Sequence, residues 1–167
     1  GDLGGSTGTS GGTTGTASSE QVRGVVDIVA TENFGQGEAA GTGIILTSNG
    51  RVLTNNHVVE GSTSLEVTDL STGKTYEATV VGTSPTNDVA VIQLKDASGL
   101  ATATLGDSDT VSVGDAVTGV GNAGNEPGTS ASTGVVTALG QSITASDQGG
   151  GNAEDLTGLI QTNAGIR

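Results

Sequence analysis

Nowhere after Val22 does the chain sustain an apolar repeat of 3.6 residues; short apolar segments follow one another instead, each broken by Gly, Asn, Asp or Ser. That pattern argues against long amphipathic helices and predicts an all-β fold. With one Tyr, one Phe and neither Trp nor Met in 167 residues, the core has to be built from Val, Ile, Leu and Ala, which suits thin layers of β-branched side chains. Strands are expected at 25–30, 43–47, 52–54, 65–70, 75–81, 89–94, 116–121, 134–139 and 159–162. Ser48-Asn49-Gly50 predicts a tight hairpin with positive φ at Asn49 and Gly50, setting Ile45 and Val52 on adjacent antiparallel strands. Ser71-Thr72-Gly73-Lys74 predicts a second hairpin, joining Leu65-x-Val67 to Tyr76-x-Ala78-x-Val80. Repeated hairpins with alternating burial point to a closed barrel or a sandwich.

Residues 1–19 are almost wholly Gly, Ser and Thr, a composition that buries too little apolar area to offset the entropy of ordering it, and they are expected to be a flexible linker. The folded domain is expected over 20–167. Eighteen acidic against five basic residues leave a formal charge of −13, which repels phosphate backbones and excludes nucleic-acid partners. The absence of cysteine removes disulfides, thiolate metal sites and cysteine catalysis. No run of ~18 apolar residues occurs, so membrane association is expected only through an anchor upstream of Gly1.

Few residues offer chemistry. His57, the single histidine, lies where the apolar strand Val52-Leu53-Thr54 gives way to Asn55-Asn56 and is expected to resume at Val58-Val59. Taken alone, such a histidine is more often a surface or satisfied core residue than a catalyst. Asp88 opens Val89-Ala90-Val91-Ile92 and by itself reads as a turn-capping carboxylate before a strand; Asp96 is its nearest rival. Ser130 and Ser132 sit among small residues, yet without the spacing of a nucleophile elbow, and are expected in a loop before a strand. Neither Asp107-Ser108-Asp109 nor Glu154-Asp155 has the spacing of a twelve-residue calcium loop, and one His without Cys argues against zinc. No metal and no cofactor are expected.

Gly41-Thr42-Gly43-Ile44-Ile45, followed by Gly50-Arg51-Val52-Leu53-Thr54-Asn55-Asn56-His57-Val58-Val59, resembles the histidine motif of HtrA/Deg-type trypsin-like serine proteases. Asn87-Asp88-Val89-Ala90-Val91-Ile92 resembles the aspartate segment of the same family. The resemblance continues through Leu105-Gly106-Asp107-Ser108, Val113-Gly114-Asp115-Ala116, Gly134-Val135-Val136 and Leu159-Ile160-Gln161-Thr162-Asn163-Ala164. The Gly/Ala/Thr-rich style and the 141–151 loop are closest to the secreted or membrane-tethered actinobacterial branch.

The resemblance implies a chymotrypsin-like double β-barrel, with a complete first barrel at about 20–100 and a truncated second barrel at about 101–167. It implies an extracytoplasmic serine endopeptidase acting on protein or peptide substrates, with His57 as general base and Asp88 as its orienting carboxylate. Two departures stand out. Asn163 replaces the aspartate common in the Gln-Thr-Asp-Ala segment, and the family's Pro-Gly-Asn/Asp-Ser-Gly-Gly nucleophile motif is expected after Arg167. The alternative reading is a pseudoprotease or peptide-binding module that kept the barrel and lost the nucleophile. Oligomeric state and cleavage preference are not legible in these residues.

Overall fold

The computed structural model describes residues 14–32, 37–121, 129–146 and 153–165. Among these residues ten strands order as β1 (Thr14–Thr16), β2 (Val25–Glu32), β3 (Gly37–Ile45), β4 (Arg51–Thr54), β5 (Ser62–Asp69), β6 (Thr75–Ser84), β7 (Val89–Leu94), β8 (Ala116–Gly121), β9 (Ser130–Ser146) and β10 (Ala153–Thr162). A single helical turn, α1 (Asn56–Val59), follows β4, and 3₁₀ turns occupy Pro85–Asn87 and Ser108–Thr110. The fold is all-β, as the interrupted apolar pattern requires.

Strands β2 to β7 close into a six-stranded antiparallel barrel in the order β2-β3-β4-β7-β6-β5. Closure removes the exposed edges of the sheet, and period-two alternation sends one set of side chains inward. Thus β7 buries Ala90, Ile92 and Leu94 while Val89, Val91 and Gln93 are only half-buried. Val26, Ile28, Ile45, Val52, Val67 and Ile92 are all no more than 1% exposed and form the barrel centre. No aromatic side chain lies in that fully buried set, which matches a core assembled from β-branched residues.

Strands β8, β9, β10 and β1 form a second, open sheet, with β9 paired to all three others. Together the closed barrel and the partial second sheet constitute a truncated chymotrypsin-like fold.

The hairpin registers agree with the sequence. Ile45 faces Val52, Leu65 faces Ala78 and Val67 faces Tyr76. The first turn differs in its chemistry. It runs over Thr47–Gly50, with Gly50 N–H donating to Thr47 O at 3.0 Å, and only Gly50 is left-handed (φ 102°). A four-residue connection needs one positive φ where a two-residue turn needs two. The Thr47 hydroxyl, bonded to Asn49 Oδ1 at 2.5 Å and accepting Arg51 N–H at 3.0 Å, stabilises the longer loop.

Three further features stand beside the sequence reading. At the end of the segment read as a linker, Thr14, Gly15 and Thr16 pair with Ser132, Ala131 and Ser130, and Ala17 N–H donates to Thr129 O at 2.8 Å. Strand pairing satisfies main-chain groups and needs no apolar side chain, so composition alone is blind to it; residues 1–13 lie outside the described residues. Ser18-Ser19-Glu20-Gln21 then forms a reciprocal cap, Ser18 N–H to Gln21 Oε1 at 2.8 Å and Gln21 N–H to Ser18 Oγ at 3.2 Å. Second, Ser130 and Ser132 lie within β9, not in a loop before it, since β8 and β1 flank that stretch on both sides. Third, the apolar pair after His57 continues as a helical turn, not as strand.

Candidate active site

Strand β4 ends at Thr54, whose hydroxyl donates to Thr42 O at 2.9 Å and ties the strand end to β3. The chain then turns through Asn55 into α1, which buries Asn56, Val58 and Val59 and leaves His57 outward. That turn fits against β3 because position 41 is glycine; a Cβ there would meet Val58 Cγ2 at 2.5 Å. Gly41 is thus a packing requirement of the histidine turn, whereas Gly43 makes room inside the barrel for Val52 and Ile28.

Asp88 arrives from the opposite side of β4, directly ahead of β7, whose Ala90 pairs with Thr54. The 3₁₀ turn Pro85–Asn87 aims it. Pro85 starts the turn, Asn87 Nδ2 donates to Ser84 Oγ at 2.9 Å, and Asp88 closes it in the left-handed region (φ 54°, ψ 45°). Aspartate is among the residues that tolerate this region.

The two residues meet. His57 Nδ1 lies 2.7 Å from Asp88 Oδ2, and the His57 main-chain N–H donates to Asp88 Oδ1 at 2.8 Å. A carboxylate offers only acceptors, so the bond requires the hydrogen on Nδ1 and leaves Nε2 with a free lone pair in the neutral ring. The Asp88 side chain is 11% exposed whereas that of His57 is 60% exposed, so the carboxylate is enclosed and the imidazole edge faces outward. A buried carboxylate held by two donors and presenting a fixed imidazole is an arrangement able to accept a proton at Nε2 and stabilise the imidazolium formed.

Other sequence candidates lie elsewhere. Asp96 is exposed on the turn after β7, with left-handed φ of 56°. Ser132 is 1% exposed and its hydroxyl accepts Gly165 N–H at 2.9 Å; Ser130 Oγ donates to Gly121 O at 3.1 Å. Asp107 accepts Asp109 N–H at 2.9 Å within its own 3₁₀ turn, and Asp155 accepts the Thr144 hydroxyl at 2.8 Å. Among the described residues no group of three His, Cys, Asp or Glu side chains is placed to hold a metal ion. Asn163, the departure from the usual aspartate, pairs with β9 through both its groups, accepting Val135 N–H at Oδ1 (2.8 Å) and donating its own N–H to Val135 O (3.2 Å). One participant escaped the sequence reading as an individual. Asn55 Nδ2 donates to Asp88 O at 3.0 Å; its place in front of the histidine turn was the available signal.

Residues 41–167 match the trypsin-like peptidase domain. The chain is 39% identical over 129 residues to the periplasmic serine endoprotease DegP of Escherichia coli (strain K12), covering 77% of this chain and 25% of that protein. It is 35% identical over 147 residues to the serine protease PepD of Mycobacterium tuberculosis (strain ATCC 25618 / H37Rv), covering 83% and 31%. The solved structure of the HtrA-type protease AlgW with tripeptide superposes with a TM-score of 0.65 at 30% identity, covering 72% of this chain and 38% of the other. The chain therefore spans between a quarter and a third of the two curated relatives. By this match and by its fold, the chain belongs to the trypsin-like serine proteases of the HtrA/Deg type.

Proposed function

We propose that this domain is the His–Asp half of a serine endopeptidase that hydrolyses peptide bonds in proteins. The observation that carries the reading is the double clamp of Asp88 on His57, at 2.7 Å to Nδ1 and 2.8 Å to the main-chain nitrogen. In the reaction, His57 Nε2 takes the proton of a serine hydroxyl as its oxygen adds to the substrate carbonyl. The imidazolium then gives that proton to the leaving amine, and water resolves the acyl-enzyme with His57 again as base. Asp88 stays ionised and holds the ring. The serine is proposed to follow Arg167, where the family's Pro-Gly-Asn/Asp-Ser-Gly-Gly motif stands.

The catalytic domain is read as starting at Thr14, since β1 is part of the second sheet. Extracytoplasmic location is proposed from the periplasmic relative. No helix among the described residues is long and apolar enough to cross a membrane.

The test is Asp88→Asn in the full-length protein. An amide can hold the imidazole in the wrong tautomer, so turnover of a labelled unfolded protein should fall by about 10⁴ with the fold retained. A loss below about tenfold removes Asp88 from the mechanism. A full-length protein that neither hydrolyses nor takes up a fluorophosphonate label would instead be a peptide-binding module.

A further inference from the structure

Asn55 stands immediately before α1 with extended backbone (φ −96°, ψ 145°). An asparagine there ordinarily folds its side-chain oxygen back onto an N–H of the first helical turn. Here it makes no such bond. Its amide reaches instead to the carbonyl of Asp88 at 3.0 Å, and the His57 N–H that it leaves is taken by Asp88 Oδ1 at 2.8 Å. Two short helical ends have exchanged caps. The Asp88 carboxylate closes the start of α1, and the Asn55 amide caps the carbonyl at the end of the 3₁₀ turn Pro85–Asn87. The pairing has the logic of a capping box, each partner satisfying the other's main chain, but it joins segments more than thirty residues apart.

The exchange bears on the histidine because Asp88 is left-handed, a backbone region that costs a residue with a Cβ and is kept only where its surroundings hold it. Relaxing Asp88 to an ordinary φ would swing its Cα–Cβ bond, and one carboxylate could no longer meet both His57 nitrogens. Resting on the reading of His57 and Asp88 as the catalytic pair, we infer that Asn55 is a positioning residue that pins the Asp88 carbonyl and so holds the carboxylate in its two-point grip on His57.

The test uses the full-length protein with Asn55→Ala, Asn55→Asp and His57→Ala, assayed on fluorescein-labelled casein and by proton NMR of the His57 ring. Asn55→Asp keeps the side-chain shape but sets an acceptor against an acceptor. Both Asn55 variants should lose about tenfold to a hundredfold in kcat, as small misplacements of a catalytic group do, with KM within about twofold. The downfield Nδ1–H resonance of the histidine held by Asp88 should shift or vanish in both. A folded Asn55→Ala protein with unchanged kcat and an unchanged resonance overturns the inference, as does a loss confined to KM.

Should both variants fail to fold, the unsubstituted protein decides. Slowed solvent exchange of the Asn55 side-chain amide, with coupling across the hydrogen bond to the Asp88 carbonyl carbon, supports the role; an amide exchanging as freely as in a peptide overturns it. His57→Ala separates the two levels. If it still hydrolyses casein, the catalytic reading and this inference fall together, whereas an inactive His57→Ala beside a fully active Asn55→Ala removes only Asn55.

Discussion

The closed barrel and the second sheet share a composition but not a state of burial. In the barrel, Val26, Ile28, Ile45, Val52, Val67 and Ile92 are essentially inaccessible, and every strand has two neighbours. Among the described side chains of the second sheet only Val136 and Ser132 reach that degree of burial, while Val135, Leu139, Ile143 and Ile160 stand 38%, 40%, 54% and 43% exposed. Closure makes the difference, since a sheet that curls onto itself supplies its own second layer and an open sheet has to find one. His57 and Asp88 both hang from the self-sufficient half, on α1 and at the head of β7. Their mutual geometry is built on barrel elements, although the Pro85–Asn87 turn ahead of Asp88 also packs against β10 of the second sheet.

The sharpest way to break this comparison is to remove equivalent apolar groups from each half. Ile92→Ala cuts into a centre with no free surface and should cost about 2 to 5 kcal/mol of unfolding free energy. Ile143→Ala, on an exposed face, should stay within about 0.5 kcal/mol. Denaturant titration of the two variants reads the difference directly. Equal costs would show that the second sheet is packed as fully as the barrel, and the contrast would be lost.

The barrel was the legible half because alternation, hairpin spacing and β-branched composition all state the same answer there. Val89–Leu94 and Ala116–Gly121 were expected with the bounds found, and Ile45 opposite Val52 was fixed by the spacing around Asn49-Gly50. What escaped depends on partners distant in sequence. Thr14–Thr16 becomes a strand only because β9 offers an edge, and β9 itself runs well past the expected 134–139 because its neighbours extend the ladder at both ends. The site divides in the same way. His57 and Asp88 are nameable from their motifs, but the left-handed φ of Asp88 and the helical turn under His57 arise where α1 packs on β3 and β7 and the Pro85 turn packs on β7 and β10. Asn55 is visible in the sequence only as part of a motif, since nothing local says that its side chain serves another segment.

A milder intervention sharpens the boundary between the halves. Deleting residues 1–19 removes β1 and the Ala17 to Thr129 bond, so the edge of β9 at Ser130–Ser132 is left to solvent. Amide exchange should speed up there by an amount equivalent to about 1 to 2 kcal/mol, the net worth of a few main-chain hydrogen bonds. Amides of Val26, Ile28 and Ile92 should keep their protection. If the barrel amides lose protection equally, the N-terminal strand supports both halves and they are one cooperative unit.

The smallest effect concerns a flaw within the better half. Asp27 lies on β2 between Thr42 of β3 and Thr68 of β5, and its Oδ1 is buried without a hydrogen-bond partner among the described residues. Burial raises the Asp27 carboxyl above the ordinary aspartate range by penalising the charged form. A folded-state value raised above the unfolded one means that the native protein binds the proton more tightly. Stability is then highest below the unfolded value, falls as pH rises to the folded value, and stays reduced beyond it. Asp27→Asn removes the ionisation and so should raise the melting temperature slightly at about pH 7, while leaving it unchanged near pH 3, where the aspartate is already neutral. Scanning calorimetry of both proteins across that range measures the difference. A gain of the same size at both ends would mean that the amide improves local packing, and that the charge of Asp27 carries no penalty in the barrel.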